Sequence, residues 1–247
     1  MIPISVSAMD ERLLIAAKLP DLPRWVEVRA DLLWGECEIF GLETGPELSV
    51  VVRETDTGTV FVIGQPARKA VKKALRGEIG EVIVPPEQAS RLAVLLPDWS
   101  PRQIILHQLK DRNSLPAFTT NQVGFLDPGR LTQLSLPPEL LAELERGASH
   151  SPVAAAFVGG QPVSFCYAGA VTESLWDVSI DTLPEYRRRG YAALSVAYLT
   201  DHMQKQGRQP VWAALEENPA SWQLARKLGF VPTDELVRFV PDQQSRQ

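Results

Sequence analysis

Apolar and polar residues alternate along SLWDVSIDT, residues 174–182. Every second side chain from Trp176 onward falls on one face of an extended chain, and Asp177 is among the acidic and hydroxyl side chains of the other face. This alternation predicts a β-strand. Two apolar runs before it, VAAAFV and QPVSFCYAG, predict two more strands, because the Gly159-Gly160 pair between them is typical of a hairpin turn.

Helices are predicted on both sides of these strands. PELLAELERG has the spacing of a short helix that ends at Gly147. After PEYRRRG, apolar residues recur at helical spacing until Gly207, and a third helix begins after Asn218, a favourable N-cap, and ends at Gly229. With strands over VWAAL and LVRFV, the order is helix, two strands, strand, helix, strand, helix, strand.

The first half of the chain has a similar order. ELSVVVRE, TVFVIG, EVIV and RQIILHQL predict strands, and PARKAVKKALRG and PEQASRLAVLL predict helices. The spacing suggests an internal repeat, although the two sequences barely match, and an unrelated α/β cap is the alternative. A stretch rich in proline and glycine separates the halves. We therefore predict an N-terminal α/β region over residues 1–130 and a C-terminal domain over residues 131–247.

Composition narrows the class of protein. Apolar residues make up 45% of the chain and charged residues 22%, as in folded globular proteins. The net charge of -5 argues against a global nucleic-acid or polybasic membrane surface. Cys37, Cys166 and three scattered histidines form no disulfide framework and no metal-ligand spacing, and no leader or membrane span is visible. We expect a cytoplasmic protein without a metal.

The segment PEYRRRGYA, residues 184–192, connects a predicted strand to a predicted helix. The start of a helix offers unpaired amides and a partial charge of about +0.5 to an anion. Gly190 and Ala192 leave room for a ligand near the backbone. Three arginines could also be a solvated helix start, but they oppose the helix dipole at a cost of ~0.3 to 1 kcal/mol each. A bound pyrophosphate explains this arrangement better.

These residues resemble a known family. The run from Ile180 to Ala192, with RRRGYA, is similar to the acyl-coenzyme A loop of the GNAT superfamily of N-acetyltransferases. A second segment, NPASWQLARKLGF, resembles the family's helix that opens with an asparagine and ends in Leu-Gly-Phe. The two segments occur in the expected order and cover roughly residues 137 to 240. The resemblance implies an α/β fold whose mixed, mostly antiparallel sheet is flanked by helices, and the upstream region is then a candidate degenerate copy.

The resemblance also implies a cofactor site for acetyl-coenzyme A. Main-chain groups of Ile180 and Thr182 would bind the pantetheine arm, and the amides of the arginine loop would bind the pyrophosphate. Asn218 and Ser221 would reach the pantetheine from the last helix. The alternative for Asn218 is a role as helix cap, and the alternative for Ser221 is a hydrogen bond to the helix backbone. The implied cofactor-binding residues are Ile180, Thr182, Arg187, Arg188, Arg189, Gly190, Tyr191, Ala192, Asn218 and Ser221.

Catalytic residues are harder to identify. The tyrosine that protonates the leaving thiolate in many family members is replaced by Ala225. Acetylation of an amine needs a carboxylate that removes a proton from an ammonium group. Among Glu173, Asp177, Glu216 and Glu217, we rank Glu217 and Asp177 first, and a structural ion pair is the alternative for each. The expected acceptor is a small-molecule amine or a protein N-terminus.

Two other functions stay open. Because Ala225 replaces the usual tyrosine, the chain could bind coenzyme A as a regulatory or interaction module without catalysis. A nucleotide-binding protein could use the same arginine loop for another polyphosphate, but no GxxxxGK(S/T) or GxGxxG motif is present. Binding of acetyl-coenzyme A but not ATP, followed by a screen for amine acceptors, separates these hypotheses.

Overall fold

The structure is a computed structural model that describes residues 6–45, 47–77 and 80–242. The chain divides into two compact units. Unit 1 contains the chain through Leu106, residues 214–217 and the chain from Asp234, and unit 2 contains His107–Ala213 and Asn218–Thr233. This division follows contacts between residues. The boundary predicted near residue 130 is a different statement, because it divides the chain into two separate domains, and it stays a prediction.

Unit 1 is built from helices and strands that follow one another closely along the chain. The elements that begin in it are α1 (Val6–Lys18), α2 (Val26–Trp34), β1 (Cys37–Thr44), β2 (Leu48–Glu54), β3 (Val60–Ile63), α3 (Arg68–Ala74), β4 (Val82–Val84), α4 (Pro86–Leu95) and β5 (Trp99–Leu109). Strand β2 is antiparallel to β1 and β3, and β3 is parallel to β4. Apolar side chains from α3, α4 and these strands form one core cluster.

Unit 2 repeats this plan. Its elements are β6 (Val123–Phe125), α5 (Pro128–Leu131), α6 (Pro138–His150), β7 (Ala154–Val158), β8 (Gln161–Val171), β9 (Leu175–Thr182), α7 (Tyr191–Lys205), β10 (Gln209–Leu215), α8 (Pro219–Lys227) and the start of β11 (Phe230–Pro241). Strand β8 is antiparallel to β7 and β9, and β9 is parallel to β10. The predicted strands and helices of this half are confirmed, including the hairpin at Gly159-Gly160, where both glycines have positive φ angles.

The order and the pairing of elements in the two units match. The series α2-β1-β2-β3-α3-β4-α4-β5 corresponds to α6-β7-β8-β9-α7-β10-α8-β11, with parallel pairing at the same step. The repeat suggested by the sequence spacing is therefore present in the topology. In unit 1, the later part of β11 pairs with β4 through Val237, Arg238 and Phe239.

Both faces of the unit 2 sheet are covered. Helix α6 packs on one face, where Leu144, Phe165 and Tyr167 belong to a buried apolar cluster. Helix α7 packs on the other face, and its Ser195 Oγ donates to the backbone oxygen of Ser164 at 3.2 Å. In the described part of the chain, no helix has both the length and the apolar character needed to span a membrane.

One predicted helix end is wrong. Gly147 does not end α6, which continues to His150. The glycine is needed for packing, because a Cβ at this position would lie 2.5 Å from Tyr167 Cδ2. A residue that often marks the end of a helix here allows close contact between a helix and the sheet.

Candidate active site

Strand β9 is paired along nearly the whole of one edge and along only part of the other. The first of these edges pairs with β8 in a register that joins Thr182 to Ser164 and Ile180 to Cys166. The amide of Leu183 donates to the oxygen of Val163 at 3.0 Å, which makes this next pair a hydrogen-bonded one. Because pair types alternate along an antiparallel ladder, the main-chain groups of Ile180 and Thr182 point away from β8.

Strand β10 pairs with only the first part of the other edge of β9. The parallel ladder to β10 pairs Leu175 with Gln209 and ends with Asp177 and Val211. Among the described residues, no later pair joins these strands, although β9 continues to Thr182 and β10 continues past Val211. The two strands therefore separate after Asp177, and the edge of β9 from Val178 onward has no strand partner among the described residues.

The arginine loop follows the end of this edge. A single helical turn over Pro184–Tyr186 leads into the three exposed arginines, and α7 begins after Gly190. Arg187 Nε donates to the Thr182 oxygen at 3.0 Å, and the Arg189 guanidinium lies 5.8 Å from the centroid of the Tyr186 ring. Two of the three arginines are thus held against the loop itself.

The backbone of this loop turns its amides outward. Arg188 and Gly190 have φ angles of 61° and 89°, and no other non-glycine residue of the described chain has a positive φ. No acceptor is recorded, within the part of the chain that the structure describes, for the amides from Arg188 to Ala193. Successive unpaired amides at a helix start form an anion site. Gly190 serves this conformation, and the space around it is open.

The start of α8 holds the other predicted cofactor residues. Asn218 is its N-cap, and its Oδ1 accepts a hydrogen bond from the Ser221 amide at 3.2 Å. Ser221 Oγ accepts from the indole Nε1 of Trp212 at 3.0 Å. The capping interpretation of Asn218 therefore holds in this structure, and its side-chain NH₂ group is still available as a donor.

Asp177 lies where β9 and β10 separate. Its Oδ1 is buried and has no hydrogen-bond partner among the described residues. Burial raises the pKa of this carboxyl group to about 7, and the nearby backbone N–H groups of Ala213 and Val178 oppose that rise. A carboxyl group that titrates near neutrality can exchange a proton under physiological conditions.

The other carboxylate ranked first has a different environment. Glu217 is exposed, and its Oε2 lies 3.6 Å from Arg102 Nε, with both side chains about half accessible to solvent. Glu216 and Glu173 are exposed too. An exposed ion pair leaves a carboxylate well solvated, so Glu217 lacks the buried setting of Asp177.

A protein-family model matches the part of the chain that contains this site. The GNAT acetyltransferase family model matches residues 142–239, which include β9, the arginine loop, α7 and α8. The resemblance to the GNAT superfamily is therefore confirmed for residues 142–239, which we call the GNAT domain. No curated protein matches the chain.

Solved structures extend the likeness in fold beyond the GNAT domain. An acetyltransferase from the GNAT family of Colwellia psychrerythraea shares 16% identity, with 97% of this chain and 98% of that chain covered and a TM-score of 0.59. A GCN5-related N-acetyltransferase-like protein from Streptococcus suis shares 18% identity, with coverages of 95% and 98% and a TM-score of 0.57.

A third similar structure is that of a tandem GNAT protein from the clavulanic acid biosynthesis pathway, with 12% identity, 95% of both chains covered and a TM-score of 0.58. Identities this low show the fold alone. The likeness agrees with the repeated topology of units 1 and 2.

The position of the usual tyrosine lies within the GNAT domain. Ala225, where the resemblance places a tyrosine in many relatives, is fully buried in α8.

Trp212 was missed by the sequence analysis, although it directly follows the last β9–β10 pair and contacts Ser221. An indole in an apolar strand is indistinguishable from a core residue in sequence, so no signal could have identified it.

Proposed function

We propose that the protein is an acetyl-coenzyme A-dependent N-acetyltransferase that transfers the acetyl group directly to an amine. One observation carries the proposal: the unpaired edge of β9 leads into a loop whose amides have no partner in the described chain. An extended arm that ends in phosphates fits such an edge and such a loop. Three exposed arginines add positive charge at the phosphate end.

The residues present fit this cofactor. Ile180 and Thr182 have main-chain groups that face away from β8, as a strand-like contact to pantetheine requires. The amides from Arg188 to Ala192 would hold the pyrophosphate. Asn218 and Ser221 would contact the arm from the start of α8. Bound acetyl-coenzyme A would supply the acetyl group as a thioester, with the thiol as leaving group.

We assign the role of general base to Asp177 rather than to Glu217. An ammonium group must lose a proton before its nitrogen can attack a carbonyl carbon. The buried, unpartnered Oδ1 of Asp177 and its raised pKa suit this transfer, either directly or through a water molecule. Glu217 is exposed and paired with Arg102. A small cationic amine and a protein N-terminus both carry the required ammonium group.

A coenzyme A-binding module without catalysis is the second candidate. The buried Ala225 favours it, because no tyrosine is available at that position to protonate a thiolate. Both candidates predict binding of coenzyme A. They differ in turnover, so release of free thiol in the presence of a panel of amines separates them. The cytoplasmic location stays a prediction.

Calorimetry with a pair of glycine variants tests the site. We expect acetyl-coenzyme A to bind the wild-type protein and ATP not to bind. Gly190→Val should lower the affinity by at least ~10-fold, because several hydrogen bonds to charged phosphates depend on this backbone conformation. Gly207→Val is the matched control, since Gly207 lies just beyond the other end of α7, with a φ of 81° and equally open space.

The control variant distinguishes the loss of the phosphate site from a loss of stability caused by backbone strain. Both variants place a β-branched side chain at a positive φ, so both should lose similar stability in thermal unfolding. Equal affinity of the two variants for acetyl-coenzyme A would contradict the pyrophosphate assignment. No binding by the wild-type protein would overturn both candidate functions.

A further inference from the structure

Trp212 is held in place from three directions within unit 2. Its indole Nε1 donates to Ser221 Oγ at 3.0 Å, and its ring meets the Phe230 ring edge-on with centroids 5.2 Å apart. His107 Nδ1 donates to its backbone oxygen at 3.2 Å. The Trp212 side chain is almost fully buried. Such a side chain has a fixed orientation, so the atom that receives its hydrogen bond is fixed too.

The bond from Trp212 determines what the Ser221 hydroxyl can do. A serine hydroxyl has one hydrogen to donate and an oxygen that accepts. The oxygen accepts from the indole, and no acceptor for the hydroxyl hydrogen is recorded among the described residues. A hydroxyl whose oxygen already accepts a hydrogen bond becomes a stronger donor. Ser221 therefore presents a polarised O–H in the first turn of α8.

The position of Trp212 and Ser221 along the sheet indicates which part of coenzyme A the hydroxyl group would contact. The phosphate-binding amides lie beyond the Thr182 end of the open β9 edge, and the strands rejoin at Asp177 and Val211. Trp212 directly follows Val211. The end of coenzyme A farthest from its phosphates is the thiol, so the thiol belongs at the end of the edge where Trp212 holds Ser221.

We propose that Trp212 is a positioning residue that directs the Ser221 hydroxyl to donate a hydrogen bond to the sulfur of coenzyme A. The inference rests on the proposed function. A thiol has a pKa near 8.5, so its anion needs only stabilisation by a hydrogen bond to be a competent leaving group. Because Ala225 is small and buried, this role does not depend on a tyrosine in α8.

Binding of coenzyme A and of desulfo-coenzyme A, which lacks the sulfur, tests the proposal by calorimetry at pH 8.5. Part of the thiol is ionised at this pH. We expect the wild-type protein to prefer coenzyme A by roughly 3- to 10-fold, the range of a single hydrogen bond. Ser221→Ala and Trp212→Phe should each abolish the preference, and Ser221→Thr, which keeps a hydroxyl, should retain it.

Trp176→Phe is the matched control. Trp176 is a fully buried indole on the neighbouring strand β9, and its Nε1 has no partner in the described chain. Its removal should leave the preference for coenzyme A unchanged. A purely structural role of Trp212 would instead weaken both ligands equally and keep their ratio, a result that overturns the proposal.

The outcomes also separate this inference from the function beneath it. Binding of both ligands by the wild-type protein with equal affinity overturns the hydrogen bond to sulfur and leaves coenzyme A binding intact. Binding of neither ligand overturns the proposed function and the inference with it. If Trp212→Phe does not fold, as judged by circular dichroism, Ser221→Ala alone decides, because its side chain is only partly buried.

Discussion

At the scale of single residues, Asp177 shows how packing changes the chemistry of a carboxyl group. In sequence it is one of several polar residues that alternate along β9, and nothing distinguishes it from Ser179 or Asp181. In the structure its Oδ1 is buried without a partner, because β9 and β10 still pair at this residue and helix α6 covers part of the same sheet. Burial depends on tertiary contacts, so the sequence could nominate Asp177 but could not separate it from Glu217.

The raised pKa of Asp177 makes a prediction about stability. Between about pH 4 and pH 7, the folded state keeps a proton on Asp177 that the unfolded chain has released, so this group lowers stability as pH rises through that window. Asp177→Asn removes the penalty. We expect the variant to be more stable than wild type at pH 8, by an amount on the order of a few kcal/mol, and to gain little at pH 4.

Urea unfolding at the two pH values measures this difference. Glu217→Gln, at an exposed position, should change stability little at either pH. A stability difference between Asp177→Asn and wild type that does not depend on pH would contradict the buried, proton-binding state. In the acetylation assay, loss of activity in Glu217→Gln but not in Asp177→Asn would make Glu217 the base.

Among helices and strands, the sequence predictions were best where the glycine positions and the periodicity of apolar residues indicate the same element. The strands and helices predicted from residue 138 onward have both signals, and they were confirmed, whereas β6 and α5 in the stretch rich in proline and glycine were missed. The elements before residue 47 were missed, and α2 shows why: its buried residues alternate at every second position, as they would in a strand. They are Val26, Val28, Ala30 and Leu32. A helix buried on more than one side has no single apolar stripe for a pattern to reveal.

The contact between α6 and β8 supplies a prediction at this scale. Gly147 lies within a helix, where alanine is normally favoured by about 1 kcal/mol, but a Cβ there would lie 2.5 Å from Tyr167 Cδ2. The overlap outweighs the gain in helix propensity, so Gly147→Ala should destabilise the protein by about 1 to 3 kcal/mol. Chemical denaturation measures the change.

A double-mutant cycle identifies the cause. In a Tyr167→Ala background the ring is absent and only the contact to Tyr167 Cβ at 3.1 Å remains, so Gly147→Ala should cost clearly less stability there. The same loss of stability in both backgrounds would mean that Tyr167 is not the obstacle. Such coupling between a helix and a strand far apart in sequence is invisible to a reading of local propensity.

At the scale of the whole molecule, the two units share a topology and differ in the segment that would bind phosphate. In unit 1, the connection from β3 to α3 contains Pro66, which has no amide hydrogen, and α3 has only seven residues. The Ala70 amide already donates to the oxygen of Ala67 at 2.9 Å. This connection also lacks the arginines of unit 2.

The pocket beside that connection is small. It lies between the β3 and β4 residues that follow their last ladder pair, Val62 and Val84, and it has room for about 10 Å³, roughly one water molecule. Arg91 Nη2 donates to the Pro66 oxygen at 2.9 Å, which ties α4 to the connection. Unit 1 thus keeps the strand arrangement of the GNAT domain without space for a pantetheine arm.

This contrast predicts the binding stoichiometry. Calorimetric titration with acetyl-coenzyme A should give one site per chain, because among the described residues unit 2 has unpaired amides from Arg188 to Ala193. The corresponding connection of unit 1 contains Pro66, which has no amide hydrogen, and the pocket beside it is small. Gly190→Val should weaken binding at that single site by at least ~10-fold, and no second site should appear. Gly207→Val should keep a stoichiometry of one. Two sites in the wild-type protein would contradict this prediction and assign a second cofactor site to the chain.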